Sequence, residues 1–434
     1  MSRFTIPFYM CLILVLSLMC GATSITMAGG KEFNEAMKKG DFKAAAMETG
    51  SIWDSFDKSN PAAAAIAREF AYVNFMAGEL KRADTFLSYL LPGGNQLGTQ
   101  DDKPLVTRLL SSAVNYGLNT NEENRSKLED SLKSRLLEQD TDLISIVSAE
   151  FLSQCDSAQG NWKGLAQSAS QVAELIKRMG VQGGERLRRA ETSAAIAAFR
   201  IDKSNVRNYG RLVETYNAIV GDLDEIENLD PLASLVPAGP PPGAQSRFPG
   251  PFGRGGNKEA APPMPFGPAE GKVTSGLYAL AWQLRGWISN AESLYTTYSG
   301  KLENSPTGFQ PLKLRSSKRG YFFEKSNEDA ALPMCEYSLD TRRVFFFPRS
   351  DQYAGDIATV IFKANVDEDG GLTEGRALVA VPESTWQFMM TMAANNIKLR
   401  RTKGQKADSC QLLQKDALIP LSFEVQRPDR SIRN

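Results

Sequence analysis

From Lys31 to Asp230 apolar residues recur three and four positions apart, as in Ile66, Phe70, Val73 and Ala77, then Ala83, Phe86, Leu87 and Leu90. That spacing lays one apolar stripe along each of a succession of helices. The same period returns between Lys272 and Lys301, where Leu277, Leu280, Leu284, Ile288, Ala291, Tyr295 and Tyr298 share a face flanked by Trp282 and Trp287. A helix this apolar would not stand alone in water, so it is expected to pack back on the preceding helices. From Leu312 the vocabulary shifts to aromatic and β-branched residues. Tyr321–Phe323 and Val344–Phe347 read as strands. Ile357–Val366 and Ala377–Val381 flank Asp367-Glu368-Asp369-Gly370-Gly371, a hairpin turn signal. Glu383–Leu399 reads as an amphipathic helix with Trp386, Met389, Met390, Ala393 and Ile397 on its apolar face, and Leu418–Gln426 as a closing strand.

The helical stretch carries a recurring punctuation. Gly40-Asp41-Phe42-Lys43-Ala44-Ala45 is echoed by Gly78-Glu79-Leu80-Lys81-Arg82-Ala83 and by Gly160-Asn161-Trp162-Lys163-Gly164-Leu165. Gly117 gives a weaker fourth instance. Glycine at a helix end supplies the positive φ of a tight turn, and a small residue further on lets two helices approach. Around Gly40 and Gly78 the pattern resembles tetratricopeptide-like repeats, with wider spacing and without that family's Trp and Pro signals. The expected architecture is an all-α helical-repeat (α-solenoid) N-terminal domain; an irregular helical bundle is the alternative.

The C-terminal order of strand, Asp-Gly turn, strand, helix, strand resembles the C-terminal domain of TonB-type energy transducers. Tyr353, Val360-Ile361-Phe362, Asp369-Gly370, Ala393-Ala394, Gly404 and Leu421-Ser422-Phe423-Glu424-Val425 carry the likeness. It implies a small α+β domain (ββαβ, antiparallel sheet) whose sheet edge pairs with an extended segment of a partner.

At the N-terminus Arg3 precedes an apolar run from Ile6 to Cys20, and small residues lead to Ala28. This reads as a secretory signal cleaved after Ala28 or Ala22, or as an uncleaved anchor in the inner membrane. Both place the remainder outside the cytoplasm, in the periplasm. Pro237 to Pro268 contains 10 Pro and 7 Gly in 32 residues, too many to continue a helix or a central strand. The expected organisation is thus a signal or anchor over 1–28, helical repeats over 29–236, a disordered Pro/Gly-rich insertion over 237–271, a returning helix over 272–301 and the α+β domain over 312–434.

Composition narrows the chemistry. Fifty Lys+Arg balance fifty Asp+Glu, which argues against nucleic acid as a partner. There is no histidine, which removes Ser-His-Asp and Cys-His catalysis, His-ligated zinc and imidazole bases. No Walker, GxGxxG or GxSxG arrangement is present. Asp367, Glu368 and Asp369 lack the further spacing of a calcium loop, so no metal, cofactor or catalytic residue is expected. Of five cysteines, Cys11 and Cys20 lie in the leader, while Cys335 and Cys410 share the C-terminal region and are expected to form a disulfide. Cys155 sits alone in a helical pattern as a small apolar residue. Lys398, Arg400, Arg401, Lys403 and Lys406 form a basic run, read as a solvated helix end or as a patch for an anionic partner. The expected function is non-enzymatic: an exported interaction or scaffold protein of the cell envelope, binding another envelope protein or peptide. An anchored energy transducer is the alternative, and a carboxylate-based cell-wall hydrolase is third.

Overall fold

The computed structural model describes residues 30–91, 101, 103–138, 141–225, 272–297, 309–315, 337–340, 356–381, 397–401, 404, 406, 408–412 and 414–424. The leader, the Pro/Gly-rich segment, the expected strands at 321–323 and 344–347, Cys335, Lys403 and all but the end of the 383–399 helix lie outside these residues. The chain is mostly helical with a small antiparallel sheet near its C-terminus, and it divides into two compact units, Met1–Thr107 and Arg108–Asn434.

The first unit contains α1 (Gly30–Lys39), α2 (Phe42–Ser55), α3 (Ala63–Met76) and α4 (Leu80–Leu90). Its core is aromatic: Phe70 meets Phe33, Trp53 and Phe86 edge-on at 5.5–6.4 Å. Buried Asn74 donates from Nδ2 to Thr49 Oγ1 at 3.0 Å and to the Phe70 carbonyl at 2.8 Å, tying α3 to α2.

In the second unit α5 (Pro104–Leu118, whose first turn belongs to the first unit) is followed by α6 (Glu122–Leu137), α7 (Leu143–Gln159), α8 (Trp162–Arg178), α9 (Glu185–Ile201), α10 (Val206–Asp224) and α11 (Lys272–Thr297). Among the described residues the strands that follow are β1 (Tyr337–Asp340), β2 (Ile357–Val366), β3 (Leu372–Val381), β4 (Lys398–Arg401) and β5 (Gln414–Glu424).

Three of the four glycine punctuations are the same turn. Gly40, Gly78 and Gly160 have φ of 69°, 79° and 68°. After each, the next amide reaches back to a carbonyl five residues earlier: Asp41 to Ala36 at 2.9 Å, Glu79 to Asn74 at 2.8 Å, Asn161 to Asp156 at 2.9 Å. This is the 6→1 bond of a Schellman ending. The same residue stands at the N-cap of the next helix; Asp41 and Asn161 accept from the amides of Ala44 and Gly164, whereas the Glu79 side chain makes no such bond. Gly117 is a correction. It lies inside α5, and the turn that follows is closed by Asn121, whose side chain accepts from the Asn124 amide at 2.8 Å. Leu118 follows Gly117 where the other three have a polar cap.

β2 is the centre of a three-stranded antiparallel sheet ordered β3-β2-β5, paired with β3 from Thr359↔Val381 to Val366↔Leu372 and with β5 from Ile357↔Glu424 to Val366↔Gln414. The two faces of β2 alternate as strand geometry requires. Ile357 and Ile361 join Val381 in the core shared with α9, α10 and α11. Val360, Phe362, Ala364 and Val366 join a second cluster with Leu372, Ile397, Leu399, Cys410, Leu412, Ile419 and Leu421. β3 and β5 are longer than the sequence indicates, beginning at Leu372 and Gln414.

The sheet therefore sits on α11. Gly286 allows the close approach: a Cβ there would lie 2.7 Å from Ile357 Cγ2. Buried Gln283 donates from Nε2 to the Ile357 carbonyl at 3.0 Å. Helix on one side and sheet on the other explain why α11 is buried on nearly every face from Gly276 to Ile288.

Candidate functional site

Several charged side chains of the second unit form ion pairs between helices. Asp156, completely buried on α7, accepts from Arg125 Nε at 3.0 Å and Nη2 at 3.2 Å, from Asn161 Nδ2 at 2.9 Å and from Ser168 Oγ at 3.0 Å. Arg135 donates to Asp142 at 2.7 Å. Arg186 grips Glu150 with two bonds of 2.5 and 2.6 Å, joining α9 to α7. Lys177 meets Glu191 at 2.6 Å. Arg188 grips Asp222 of α10 at 2.7 and 2.9 Å, and the same carboxylate accepts from the Gly184 amide at 2.8 Å. Paired guanidinium and carboxylate groups of this kind set helix register. These carboxylates are each tied to a cation across helices, which makes them framework groups.

Arg200 at the end of α9 closes the junction with the sheet. Its guanidinium lies 3.8 Å from the centre of the Trp162 ring and 5.8 Å from that of Trp287, and it is ion-paired with Asp356 just before β2. Burial lowers Arg200 to about 10, which leaves it fully charged at neutral pH. Trp287 is 2% exposed and meets Phe199 edge-on at 6.1 Å, so it is a core residue.

The basic run is placed differently from the sequence reading. Lys398–Arg401 form β4, antiparallel to β1, with Tyr337 opposite Arg401 and Asp340 opposite Lys398. Ile397 and Leu399 are buried while Lys398 and Arg400 are exposed, a two-residue alternation. Ile397–Leu399, expected as the end of a helix, are therefore not helical, and Lys398 and Leu399 belong to a strand. Lys406 is exposed, and Lys403 lies outside the described residues. β4 also abuts the acidic hairpin tip: the Leu399 amide donates to the Gly370 carbonyl at 2.7 Å, and Gly371 bridges to Lys398. Asp367 Oδ1 accepts from the Gly371 amide at 2.6 Å and so shapes the turn. Among the described residues no group of three or more His, Cys, Asp or Glu could hold a metal ion.

Both outer strands of the three-stranded sheet are interrupted. β5 carries Pro420 opposite Ile361, and proline supplies no N–H. β3 is bulged twice, between Ala377 and Val379 and around Glu374, which has φ of 55°. Interruptions of this kind oppose addition of another strand.

Cys155 is the free thiol among the described residues. Burial, with the Asp156 carboxylate beside it, pushes it up to about 12. Cys410 is 5% exposed in the second sheet cluster; its expected partner Cys335 lies outside the described residues. No helix among the described residues is long and apolar enough to cross a membrane.

Sequence reasoning missed a constellation on α10 and α11. Phe309 stands 5.3 Å from the Tyr209 ring and 5.0 Å from the Tyr295 ring. Tyr209 Oη accepts from the Leu312 amide at 2.9 Å and donates to Glu292 Oε1 at 2.8 Å. The Arg315 amide donates to Asn217 Oδ1 at 2.7 Å. The Phe309–Arg315 stretch has no periodicity; the available signal was the tyrosine spacing on two separate helices. No family model, curated protein or solved structure matches the chain.

Proposed function

We propose that this chain is an exported, non-enzymatic interaction or scaffold protein of the bacterial cell envelope, holding another envelope protein or peptide. The observation that carries the reading is the continuous core running from α9 and α10 through α11 into the sheet. A framework of that kind fixes two differently built surfaces, helical and sheet, relative to one another. The Arg–carboxylate pairs between helices support the same reading, since they specify register. Export rests on the apolar run from Ile6 to Cys20 and the small residues up to Ala28. The likeness to TonB-type C-terminal domains is kept for the sheet alone, and the interrupted strands support a reading in which docking uses the helical side.

Crosslinking of the full chain in the envelope, followed by mass spectrometry, tests the proposal. Discrete protein partners are expected, with crosslinks on the second unit. Recovery of no protein partner would overturn it. Intact mass decides the form in the envelope: a chain starting at Gly29 fits the exported scaffold, and one retaining Met1 fits an anchored transducer.

A further inference from the structure

We propose that the surface of α10 and α11 beneath residues 309–315 is a peptide-binding groove, occupied in cis by that strap. Its partner is an extended peptide with an aromatic residue followed six positions later by an arginine. This rests on the interaction-protein reading and names its site.

The strap is held as a bound peptide is held. Its amides at Leu312 and Arg315 donate to side-chain acceptors, Tyr209 Oη and Asn217 Oδ1, at 2.9 and 2.7 Å. The spacing of those acceptors fits an extended chain. Eight helical residues from Tyr209 to Asn217 advance about 12 Å, and three extended residues from Leu312 to Arg315 span about 10 Å. Phe309 and Leu314 are half-buried against the helical core, Gln310, Pro311, Leu312 and Lys313 are exposed, and Arg315 is exposed with its guanidinium reaching Asp224.

Each anchor meets a prepared surface. Phe309 enters between two tyrosines, Tyr209 and Tyr295, which are fully buried with it in place. The Tyr209 hydroxyl is fixed by Glu292 and is aimed at a backbone amide. Burial, reinforced by Glu292, pushes the phenol up to about 12, so it stays a neutral O–H and can donate and accept together. Arg315 Nη2 lies 3.5 Å from Asp224 Oδ2, whose side chain is completely buried. Gly221 leaves room for it: a Cβ there would lie 2.8 Å from Arg315 Nη1. An aromatic slot, two side-chain acceptors for main-chain N–H groups and a buried carboxylate for a basic residue define a peptide class. The tether gives the strap a local concentration of about millimolar, so it excludes weak ligands and yields to a matched one.

The test uses the full chain and a fluorescein-labelled peptide of residues 307–317, TGFQPLKLRSS. Phe309→Ala with Arg315→Ala weakens the strap and leaves the groove intact. By fluorescence anisotropy, this variant is expected to bind the peptide about tenfold more tightly than the unaltered chain. Adding Asp224→Asn, or removing Phe and Arg from the peptide, is expected to abolish the gain. Equal affinities for the two proteins, or no saturable binding to a folded variant, would overturn the proposal. Should the variant fail to fold, hydrogen exchange on the unaltered chain decides. Excess peptide should speed exchange at Leu312 and Arg315 if it displaces the strap, and unchanged rates would overturn the proposal. The parent reading fails separately: recovery of no envelope partner would overturn it even where the peptide binds, whereas partners crosslinked away from α10 and α11 would leave the scaffold and remove this groove.

Discussion

Replacing Asp156 by alanine should be among the most damaging single changes in the second unit. The carboxylate is completely buried and joins three helices: its own α7, α6 through Arg125, and α8 through Asn161 at its head and Ser168 about two turns into it. Removing one member of a buried ion pair costs about 3–5 kcal/mol, because the remaining charge is left without its partner. The structure places this case near the lower end. Arg125 keeps Glu129 at 2.9 Å, and Ser168 keeps its bond to the Gly164 carbonyl at 2.9 Å. Asn161 loses its side-chain donation yet still caps α8 through the Gly164 amide. About 3 kcal/mol is therefore expected. An apolar pair of similar total volume, Arg125→Met with Asp156→Val, should restore stability to within about 1 kcal/mol, since neither charge is then buried alone. Urea unfolding followed by circular dichroism measures both, and hydrogen exchange in α7 and α8 assigns the loss to this junction. A loss below about 1 kcal/mol, or a double variant as weak as the single one, would refute the reasoning.

Other expectations follow from close contacts and thiols. Gly286→Ala should destabilise by about 1–3 kcal/mol through the clash with Ile357, although alanine favours the helix. Adding Ile357→Ala should relieve that clash, and a double-mutant cycle with no coupling would contradict the helix–sheet approach. Cys335 and Cys410 should appear as one linked peptide without reductant, closing a loop that stabilises by up to about 4 kcal/mol; two separate free-thiol peptides would exclude the pair. Cys155 should resist alkylation in the native state at neutral pH, because a thiol pushed up to about 12 carries almost no thiolate there. Labelling as fast as in the urea-unfolded chain would show the site to be open.

What the sequence revealed depended on how local the physical signal was. Gly40, Gly78 and Gly160 were legible because a Schellman ending needs a glycine and the next helix needs a polar cap, and these are adjacent residues. Gly117 met the first requirement without the second. The β2–β3 hairpin was legible from Asp369-Gly370 between alternating runs, since the turn requires positive φ at Gly370. β4 was not, because Ile397 also continues the i, i+4 spacing of Ala393, and a four-residue strand offers too few alternations to separate the two periods. The basic patch was misplaced with it. The Phe309–Arg315 strap was invisible for another reason: its meaning resides in Tyr209, Asn217, Gly221 and Asp224, which lie far away in the chain and look like ordinary helix positions.

The excess apolarity of α11 has a structural cause that also bears on function. A helix that packs on one neighbour keeps a polar face, whereas α11 is buried from Gly276 to Ile288 except where Trp282, Arg285 and Gly286 reach its margins. It meets α9 and α10 through Leu277, Leu280, Leu284 and Ile288, and it approaches β2 through Gly286 and Gln283. The strap anchors, Tyr209 and Tyr295, stand on α10 and α11, in the same core that contains Ile357 and Ile361 of the sheet. A ligand that replaces the strap would act on residues 309–315, which lie in the chain between α11 and the strands. Binding at the groove would then bear on how the sheet is tethered while α11 keeps it seated. The two effects are separable: Gly286→Ala loosens the seat, and Phe309→Ala frees the tether.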